Sequence, residues 1–300
     1  MINIGQTIFL ALLQGITELF PISSTGHTVI IPGLLGWGSL LNSPTFLPII
    51  VALHIGTSIA LVVYFWRDWL QIIRTLIKNI KEGEVRTGTV EWESWLIIIG
   101  VIPAGLIGLI LEKPLKTIFS IPVIAAAFLV VNGSVLFAGE RLRLRSEEKM
   151  QFASAKEREA SFRPLSSLTW KEAIIVGLAQ SLALIPGFSR SGVSMVAGLG
   201  VRLNHEDAAR FSFLLGTPLI AAAGVLEIPQ LTGVSTQTWI YVGIGMVITG
   251  VAAYLSTRFL MKYFETGRLY PFAYYCWAVG LFAIILFATV FQSRAGSIPF

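Results

Sequence analysis

The sequence contains few charged residues. Asp, Glu, Lys and Arg together make up 13% of its 300 residues, whereas hydrophobic residues make up 54%. Soluble domains carry about 25% charged residues, so this chain has too few to cover its surface in water. The composition therefore excludes an ordinary soluble enzyme, a disordered protein and a nucleic-acid-binding module, and it indicates an integral membrane protein.

Cysteine and the short motifs of many soluble enzymes are also scarce. Cys276 is the single cysteine, so the chain cannot form an internal disulfide framework. The sequence lacks a Cys/His metal motif, a Walker loop and a dinucleotide-binding fingerprint. Its apolar first twenty residues lack the basic segment and the small-residue cleavage motif of a signal peptide. We therefore expect them to belong to the mature protein.

Long hydrophobic runs predict the membrane-spanning segments. A helix that crosses a bilayer needs about 20 apolar residues. Six runs are candidates: residues 44–65, 94–111, 118–137, 211–226, 239–256 and 271–291. The fourth run is shorter than the others and contains Pro218. We therefore expect an all-α polytopic membrane protein with six transmembrane helices.

Four further apolar segments are too short or too broken to cross a bilayer. They are residues 2–20, 28–37, 172–185 and 192–201. They form two pairs, each joined by a turn rich in Pro, Ser and Gly, at 21–27 and 186–191. Irregular backbone at membrane depth is tolerated only where protein or a water-filled cavity surrounds it. We therefore expect two re-entrant helical hairpins whose turns line a cavity.

The basic residues indicate the topology. Sixteen of the 22 Lys and Arg residues lie in three segments, 67–86, 140–171 and 258–268. Because cytoplasmic loops are enriched in Lys and Arg, we expect these segments to be cytoplasmic loops. The six spans then alternate consistently, with both termini and segments 112–117 and 227–238 outside.

The long polar segment 140–171 is predicted to be a cytoplasmic connector between two repeats, 1–139 and 172–300. Each repeat would hold one hairpin and three spans, and an odd number of crossings requires the second repeat to be inverted. Residues 14–26 and 180–192 support this match, since both run from Gln through an apolar stretch to Pro and a hydroxyl-rich turn ending in Gly. Such inverted repeats with broken helices are a transporter architecture, which leaves transport and catalysis both open.

The first hairpin carries an acidic residue just before its turn, at predicted membrane depth. Gln14 and Glu18 are four residues apart, so a helix places both on one face. A carboxylate inside a membrane is costly and indicates a functional site. The alternative is that Glu18 lies at the mouth of the hairpin and is solvated or paired there.

Hydroxyl residues and a histidine follow directly in the first turn. They are Ser23, Ser24, Thr25 and His27. The hydroxyls offer hydrogen bonds and a potential nucleophile, and a histidine can transfer protons near neutral pH. Helix capping by Ser or Thr is the simpler interpretation, but capping does not account for the neighbouring His27 and Glu18.

The second turn carries a cation suited to phosphate. Arg190 lies between Ser189 and Ser191, and its guanidinium presents a fixed fork of donors that matches phosphate oxygens. The start of the following helix also favours an anion. The alternative is a structural ion pair between Arg190 and Glu18. For His54, in the middle of a predicted span, packing or hydrogen bonding is favoured over proton relay.

The two turns resemble the signatures of the undecaprenyl-diphosphate phosphatase family, also known as the bacitracin-resistance phosphatases. The residues that match the first signature are Gln14, Glu18, Pro21, Ser23, Ser24, Thr25, Gly26 and His27. Those that match the second are Pro186, Gly187, Ser189, Arg190, Ser191 and Ser194. Residues 208–215 are also similar to the family. Gln14 stands in a place that is Glu or Gln in the family, and Ser194 replaces a threonine.

The resemblance implies hydrolysis of undecaprenyl diphosphate to undecaprenyl phosphate and inorganic phosphate. This reaction recycles the lipid carrier of cell-wall synthesis and confers resistance to bacitracin. The resemblance also implies a divalent cation, Mg²⁺ or Ca²⁺, with Gln14 and Glu18 as its ligands. It places the site on the outer side of a bacterial plasma membrane and leaves a homodimer open.

We expect the residues of the two signatures to have different roles in the reaction. Ser24 would be the nucleophile, Glu18 its base or a metal ligand, His27 the donor to the leaving oxygen or the activator of water, and Arg190 the diphosphate clamp. The remaining hydroxyl residues would bind the substrate: Ser23, Thr25, Ser189, Ser191 and Ser194. Direct attack by water, with Ser24 only binding phosphate, stays open. So does a polyprenyl-phosphate flippase that uses the same cavity for transport.

Overall fold

The computed structural model describes residues 2–83, 85, 87–116, 121–149 and 163–295. Over these ranges the chain is helical and has no β-strand. The α-helices are α1 Ile4–Thr17, α2 Ser24–Leu34, α3 Gly38–Leu41, α4 Phe46–Tyr64, α5 Trp66–Glu82, α6 Val90–Lys116, α7 Pro122–Lys149, α8 Trp170–Gln180, α9 Arg190–Gly200, α10 His205–Glu227, α11 Thr236–Tyr263 and α12 Tyr270–Ala295. Short 3₁₀ turns lie at Leu165–Ser167, Ser181–Leu184 and Ile228–Leu231.

Six helices are long and apolar enough to cross a membrane. Their apolar stretches are Phe46–Tyr64, Val90–Leu111, Pro122–Arg145, His205–Leu231, Thr236–Tyr263 and Tyr270–Thr289. Each contains most of one predicted run, so the prediction of six spans in an all-α polytopic membrane protein is confirmed. Several helices extend past the predicted apolar run because helix-favouring polar residues continue the pattern. For α10, the side chain of Asn204 caps the helix and accepts a hydrogen bond from the backbone N–H of Asp207 at 2.7 Å.

All three segments predicted as cytoplasmic loops are partly helical, and residues 258–263 of the third belong to α11. The segment 67–86 forms most of α5, and α7 continues through residues 140–149 of the predicted connector. Leu, Arg, Glu and Lys, which recur in the first two stretches, all favour helix. The prediction treated these stretches as loops because it weighed only their charge. The part of the connector at 150–162 lies outside the described residues.

The two helix pairs predicted as hairpins are present as α1 with α2 and α8 with α9. Ser23 caps α2 and Ser189 caps α9, and each hydroxyl accepts the backbone N–H of a glycine three residues later, at 3.1 Å in both cases. Ser23 and Ser189 are therefore the N-cap residues at which each turn ends and the following helix begins. The re-entrant position of these pairs in a membrane stays a prediction.

Helices from the two chain halves interlock. α1 packs against α11, and α8 packs against α6. α4 lies between α10 and α11, while α7 pairs with α12. Both α2 and α9 contact α7, which brings the two polar turns together at the centre of the bundle. The exact boundaries and inversion of the two repeats stay predictions.

Candidate active site

Asn132, on α7, joins the two turns. Its side-chain N–H donates to the carbonyl of Pro21 at 3.0 Å, and its carbonyl accepts the backbone N–H of Ser189 at 3.0 Å. Asn132 is fully buried, so both hydrogen bonds are shielded from water. Sequence reasoning missed this residue, although a lone Asn in an apolar span signals hydrogen bonding between helices.

Glycines let the two turns approach closely. A Cβ atom on Gly26 would lie 3.3 Å from the Cα atom of Gly187. Gly187 itself has a φ of +103°, which side-chain-bearing residues rarely adopt. The glycines of both signatures therefore have a structural role in bringing the polar residues together.

Glu18 is the centre of the polar cluster. It follows α1 directly and is 7% exposed. Its Oε2 atom accepts hydrogen bonds from the Ser24 hydroxyl and from Gln14 Nε2, the latter at 3.1 Å, and lies 3.3 Å from His54 Nε2. Its Oε1 atom lies 3.3 Å from Arg190 Nη2. The carboxylate thus joins both turns and α4, and is paired rather than solvated.

Arg190 is the first residue of α9 and is 8% exposed. Besides contacting Glu18, its Nη1 atom donates to the backbone carbonyl of Ser212 on α10 at 3.1 Å. Its Nε atom has no hydrogen-bond partner within the described part of the chain. A buried guanidinium with a spare N–H and a single carboxylate partner retains donors for an anionic ligand.

Gly216, on α10, provides the space for this guanidinium. A Cβ atom there would lie 1.8 Å from Arg190 Nη1. Gly216→Ala must therefore displace the end of the arginine side chain while leaving the helix backbone intact. We expect kcat/KM for a phosphorylated substrate to fall by about 100-fold, because small misplacements of a positioning group are costly.

Gly243→Ala is the matched control for this prediction, since a Cβ atom on that helical glycine would meet no atom within 4 Å. Steady-state phosphate release and thermal unfolding should be compared for both variants. A Gly216→Ala protein with unchanged kcat/KM would contradict the role assigned to the arginine position.

The other serines of the second signature hold the turn in place. The hydroxyls of Ser189 and Ser191 lie 3.1 Å apart and both donate to the carbonyl of Phe20. Ser194 donates to the carbonyl of Arg190 at 2.7 Å and lies 2.6 Å from the hydroxyl of Ser212. These contacts tie the second turn to the first and fix the backbone that carries Arg190.

His27 does not lie with Glu18 in this structure. Its Nδ1 atom is 2.7 Å from the carbonyl of Ser23, and its Nε2 atom is 3.0 Å from the hydroxyl of Tyr275 on α12. Ser23 has a φ of +67°, so its backbone is held in a strained conformation. His27 therefore supports the turn, and the histidine beside Glu18 is His54.

His54 makes two contacts besides the one with Glu18. Its Nδ1 atom lies 3.1 Å from the carbonyl of Ile50, one turn earlier in α4, and its Nε2 atom lies 3.1 Å from Gln14 Nε2. The first contact orients the ring so that Nε2 points into the polar cluster. Sequence reasoning favoured packing or hydrogen bonding at His54, and the structure shows the hydrogen bonds.

A cavity of about 160 Å³ opens beside this cluster. Its polar wall is formed by Glu18, Ser24, Thr25, His54, Gln180, Ser189 and Arg190. Its apolar wall is formed by Val51, Ala104, Ala183, Leu184, Phe188, Leu219, Ile220 and Ala223. Ala223 is exposed whereas Glu18 and Arg190 are buried, so the apolar side leads to the outer surface of the bundle. Such a cavity suits a ligand with an anionic head and a hydrocarbon tail.

The geometry brings together some of the predicted site residues. Glu18 contacts both Ser24 and Arg190, and Thr25 and Ser189 line the same cavity. The other predicted residues support the turns or the carboxylate: Gln14, Ser23, His27, Ser191 and Ser194. A carboxylate that accepts a hydrogen bond from a serine hydroxyl and pairs with an arginine can supply a base, a nucleophile and an anion clamp, a set of groups that suits phosphoryl transfer.

Comparison with known proteins gives a consistent result. Residues 7–282 match the family described as bacitracin resistance protein BacA. Undecaprenyl-diphosphatase 2 of Frankia alni is 42% identical, over 94% of this chain and 97% of that protein. Undecaprenyl-diphosphatase 2 of Burkholderia thailandensis is 46% identical, over 92% and 94%. The undecaprenyl-diphosphatase of Mycolicibacterium paratuberculosis is 45% identical, over the same shares. The match covers most of the chain, and the structure assembles both signature turns into one buried cluster. The chain therefore belongs to the bacitracin resistance protein BacA family.

Proposed function

We propose that this chain is a membrane phosphatase that hydrolyses undecaprenyl diphosphate to undecaprenyl phosphate and inorganic phosphate. The reaction recycles the lipid carrier for cell-wall synthesis and confers bacitracin resistance. The observation that carries the proposal is the Glu18 carboxylate, which contacts the Ser24 hydroxyl and the Arg190 guanidinium beside a cavity with an apolar exit. The family and the names of its relatives support the same activity.

The residues at the cavity have different roles in phosphoryl transfer. Arg190 binds the diphosphate and neutralises charge that develops on the transferred group. Glu18 accepts the hydroxyl proton of Ser24 as the serine Oγ atom attacks the terminal phosphorus. The bond from that phosphorus to the bridging oxygen breaks, and undecaprenyl phosphate leaves with the bridging oxygen. Water then hydrolyses the phosphoserine, which releases inorganic phosphate and restores the Ser24 hydroxyl.

Thr25 and Ser189 line the cavity. Thr25 donates a hydrogen bond to the phosphates, and Ser189 does so by giving up its donation to the carbonyl of Phe20. Four other predicted residues hold the backbone of the two turns through hydrogen bonds: Ser23, His27, Ser191 and Ser194. The apolar exit past Ala223 accommodates the first part of the lipid tail, which leaves the bundle sideways.

We also propose that the reaction uses a divalent cation, Mg²⁺ or Ca²⁺, held jointly by the protein and the substrate. Among the described residues, no group of three or more His, Cys, Asp or Glu side chains could hold a metal alone. Gln14 Oε1, however, is buried and has no hydrogen-bond partner in the described part of the chain, and it lies on the side chain that also contacts Glu18. Mg²⁺ is commonly bound by one or two protein oxygens together with substrate phosphates. Gln14 and Glu18 would supply those oxygens, and the cation would supply charge neutralisation at the diphosphate.

For the membrane orientation, we propose that the site faces the outer side of a bacterial plasma membrane. Arg and Lys are concentrated in the segments 67–86, 140–171 and 258–268, which supports the orientation of the chain because the positive-inside rule assigns such segments to the cytoplasm. The outward-facing site is what the family resemblance implies. Both termini then lie outside. A homodimer stays a prediction.

The activity is tested with purified protein in detergent. The protein is given undecaprenyl diphosphate with Mg²⁺ or Ca²⁺, and released phosphate is measured. We expect phosphate release that Glu18→Ala abolishes. Absence of release from the unaltered protein with either cation would contradict the phosphatase and would favour the alternative, a flippase for polyprenyl phosphates.

The role of Ser24 leads to a separate prediction. In a single-turnover reaction quenched with acid, we expect phosphoserine at Ser24, detected by mass spectrometry of the proteolysed protein. Ser24→Ala should lower kcat by about three orders of magnitude or more, because the nucleophile is lost. The same treatment of Glu18→Gln is the control and should show no phosphoserine. A full burst of phosphate without phosphoserine would instead indicate direct attack by water.

A further inference from the structure

The helix α5 is attached to one end of the bundle. The span α4 ends at Tyr64, and α5 begins two residues later. Its buried side chains include Ile72, Thr75 and Asn79, and it packs against α6 and α4. The helix is therefore fixed beside the end of a membrane-spanning segment.

Ion pairs reinforce this attachment. Asp68 pairs with Arg210 at the start of α10, and Lys78 Nζ lies 3.1 Å from Glu91 Oε1 at the start of α6. The two pairs lie at different points along α5, so they restrain its direction as well as its position.

An apolar stripe runs along the outer face of α5. It consists of Trp66, Leu70, Ile73, Ile77 and Ile80, which are 52%, 41%, 51%, 51% and 76% exposed. At about 100° per residue, these five side chains fall within one narrow face, next to the half-buried Trp69 and Leu76, which pack against the core. Contiguous exposed apolar surface on a folded protein marks a site of interaction.

A basic stripe lies next to the apolar one, on the side away from the bundle. It consists of Arg67, Arg74, Lys78 and Lys81, all of them exposed. The guanidinium of Arg67 lies 5.3 Å from the centre of the Trp66 ring. A helix with an apolar Trp- and Ile-containing face beside a Lys- and Arg-rich face is typical of helices that lie in the membrane interface.

We propose that α5 lies in the membrane interface and that Arg67, Arg74 and Lys81 bind the phosphates of anionic phospholipid head groups. The apolar stripe enters the acyl-chain boundary, while the basic stripe lies at head-group depth. The position of α5 directly after a span places it at this depth. The inference does not depend on the phosphatase activity, since none of these residues belongs to the catalytic cavity.

A lipid surface fits this face better than a second copy of the chain. If two copies paired through their apolar stripes about a twofold axis, the basic stripes of both would be brought close together. The exposed half of α5 offers Glu82 as its acidic residue, and Lys78 already lies 3.9 Å from it. An anionic membrane surface complements the basic stripe, whereas a second basic stripe repels it.

The test uses the full chain with Ile77→Cys carrying an environment-sensitive fluorophore, in nanodiscs of phosphatidylcholine with or without phosphatidylglycerol. Cys276 is fully buried and should not be labelled. We expect blue-shifted emission and quenching by lipids with a shallow nitroxide. Gln71→Cys, exposed on the polar side of the same helix, is the matched control and should report water.

Lipid selectivity is measured with the same label and nitroxide-labelled lipids of each head group. We expect phosphatidylglycerol to be preferred over phosphatidylcholine by about tenfold or more. The triple variant Arg67→Gln, Arg74→Gln, Lys81→Gln should lose this preference and keep its phosphatase activity in detergent. Equal quenching by the two lipids in the unaltered protein, a water-exposed Ile77 label, or high-yield disulfide formation between copies with unlabelled Ile77→Cys would overturn the proposal.

Discussion

Arg190→Ala is expected to lower kcat/KM for undecaprenyl diphosphate by at least about two orders of magnitude. Arginine side chains that neutralise a transferring phosphoryl group contribute about 10³ to 10⁵ in rate. In this structure the guanidinium is buried, donates to the carbonyl of Ser212, pairs directly with Glu18 and lines the cavity. The measurement is steady-state phosphate release by purified protein in detergent, with substrate varied so that kcat and KM are obtained separately.

Arg190→Lys is the matched control because it keeps the positive charge but loses the planar fork of donors. We expect the Lys variant to retain part of the activity that the Ala variant loses. Near-normal turnover by Arg190→Ala would show that the guanidinium does not act on the diphosphate and that its contact with Glu18 is only structural.

Glu18→Gln is expected to lower kcat by about 10² to 10⁴, the range for loss of a positioned acid–base group. The amide keeps the size and one hydrogen-bond acceptor of the carboxylate, but it cannot accept the proton of the Ser24 hydroxyl. Substrate binding should be affected less than kcat, because Arg190 is still present. Phosphate release under saturating substrate measures this directly.

A loss of stability must be separated from a loss of chemistry. Removing one partner of a buried ion pair leaves the other uncompensated, at a cost of about 3–5 kcal/mol. Glu18→Gln should therefore lower the Tm, and the double variant Glu18→Gln, Arg190→Gln should regain most of it without regaining activity. If the double variant recovered turnover, the two charges would serve only the fold. Retained turnover in Glu18→Gln alone would exclude it as the base.

Hydropathy and charge predicted the membrane class because they depend on local composition. A run of about 20 apolar residues is costly to expose to water wherever it lies in the chain, and the six predicted runs correspond to six long helices. The same reasoning missed α5, since its outer stripe is apolar only at helical spacing and is interrupted by Arg and Lys. It also ended α7 too early, because the apolar signal stops before the helix does.

The sequence alone also determined which turns hold the candidate site residues. Pro, Gly and hydroxyl residues beside Glu18 and Arg190 are improbable at membrane depth unless they line a site, and that argument needs no knowledge of packing. Only the tertiary structure decided which side chains meet. His54 reaches Gln14 from a helix 40 residues later in the chain, and Asn132 reaches Pro21 across 111 residues. Gly216 on α10 likewise leaves space for the side chain of Arg190, which comes from α9. Such contacts depend on how whole helices pack, and a local pattern carries no information about the distance between residues that are remote in the chain.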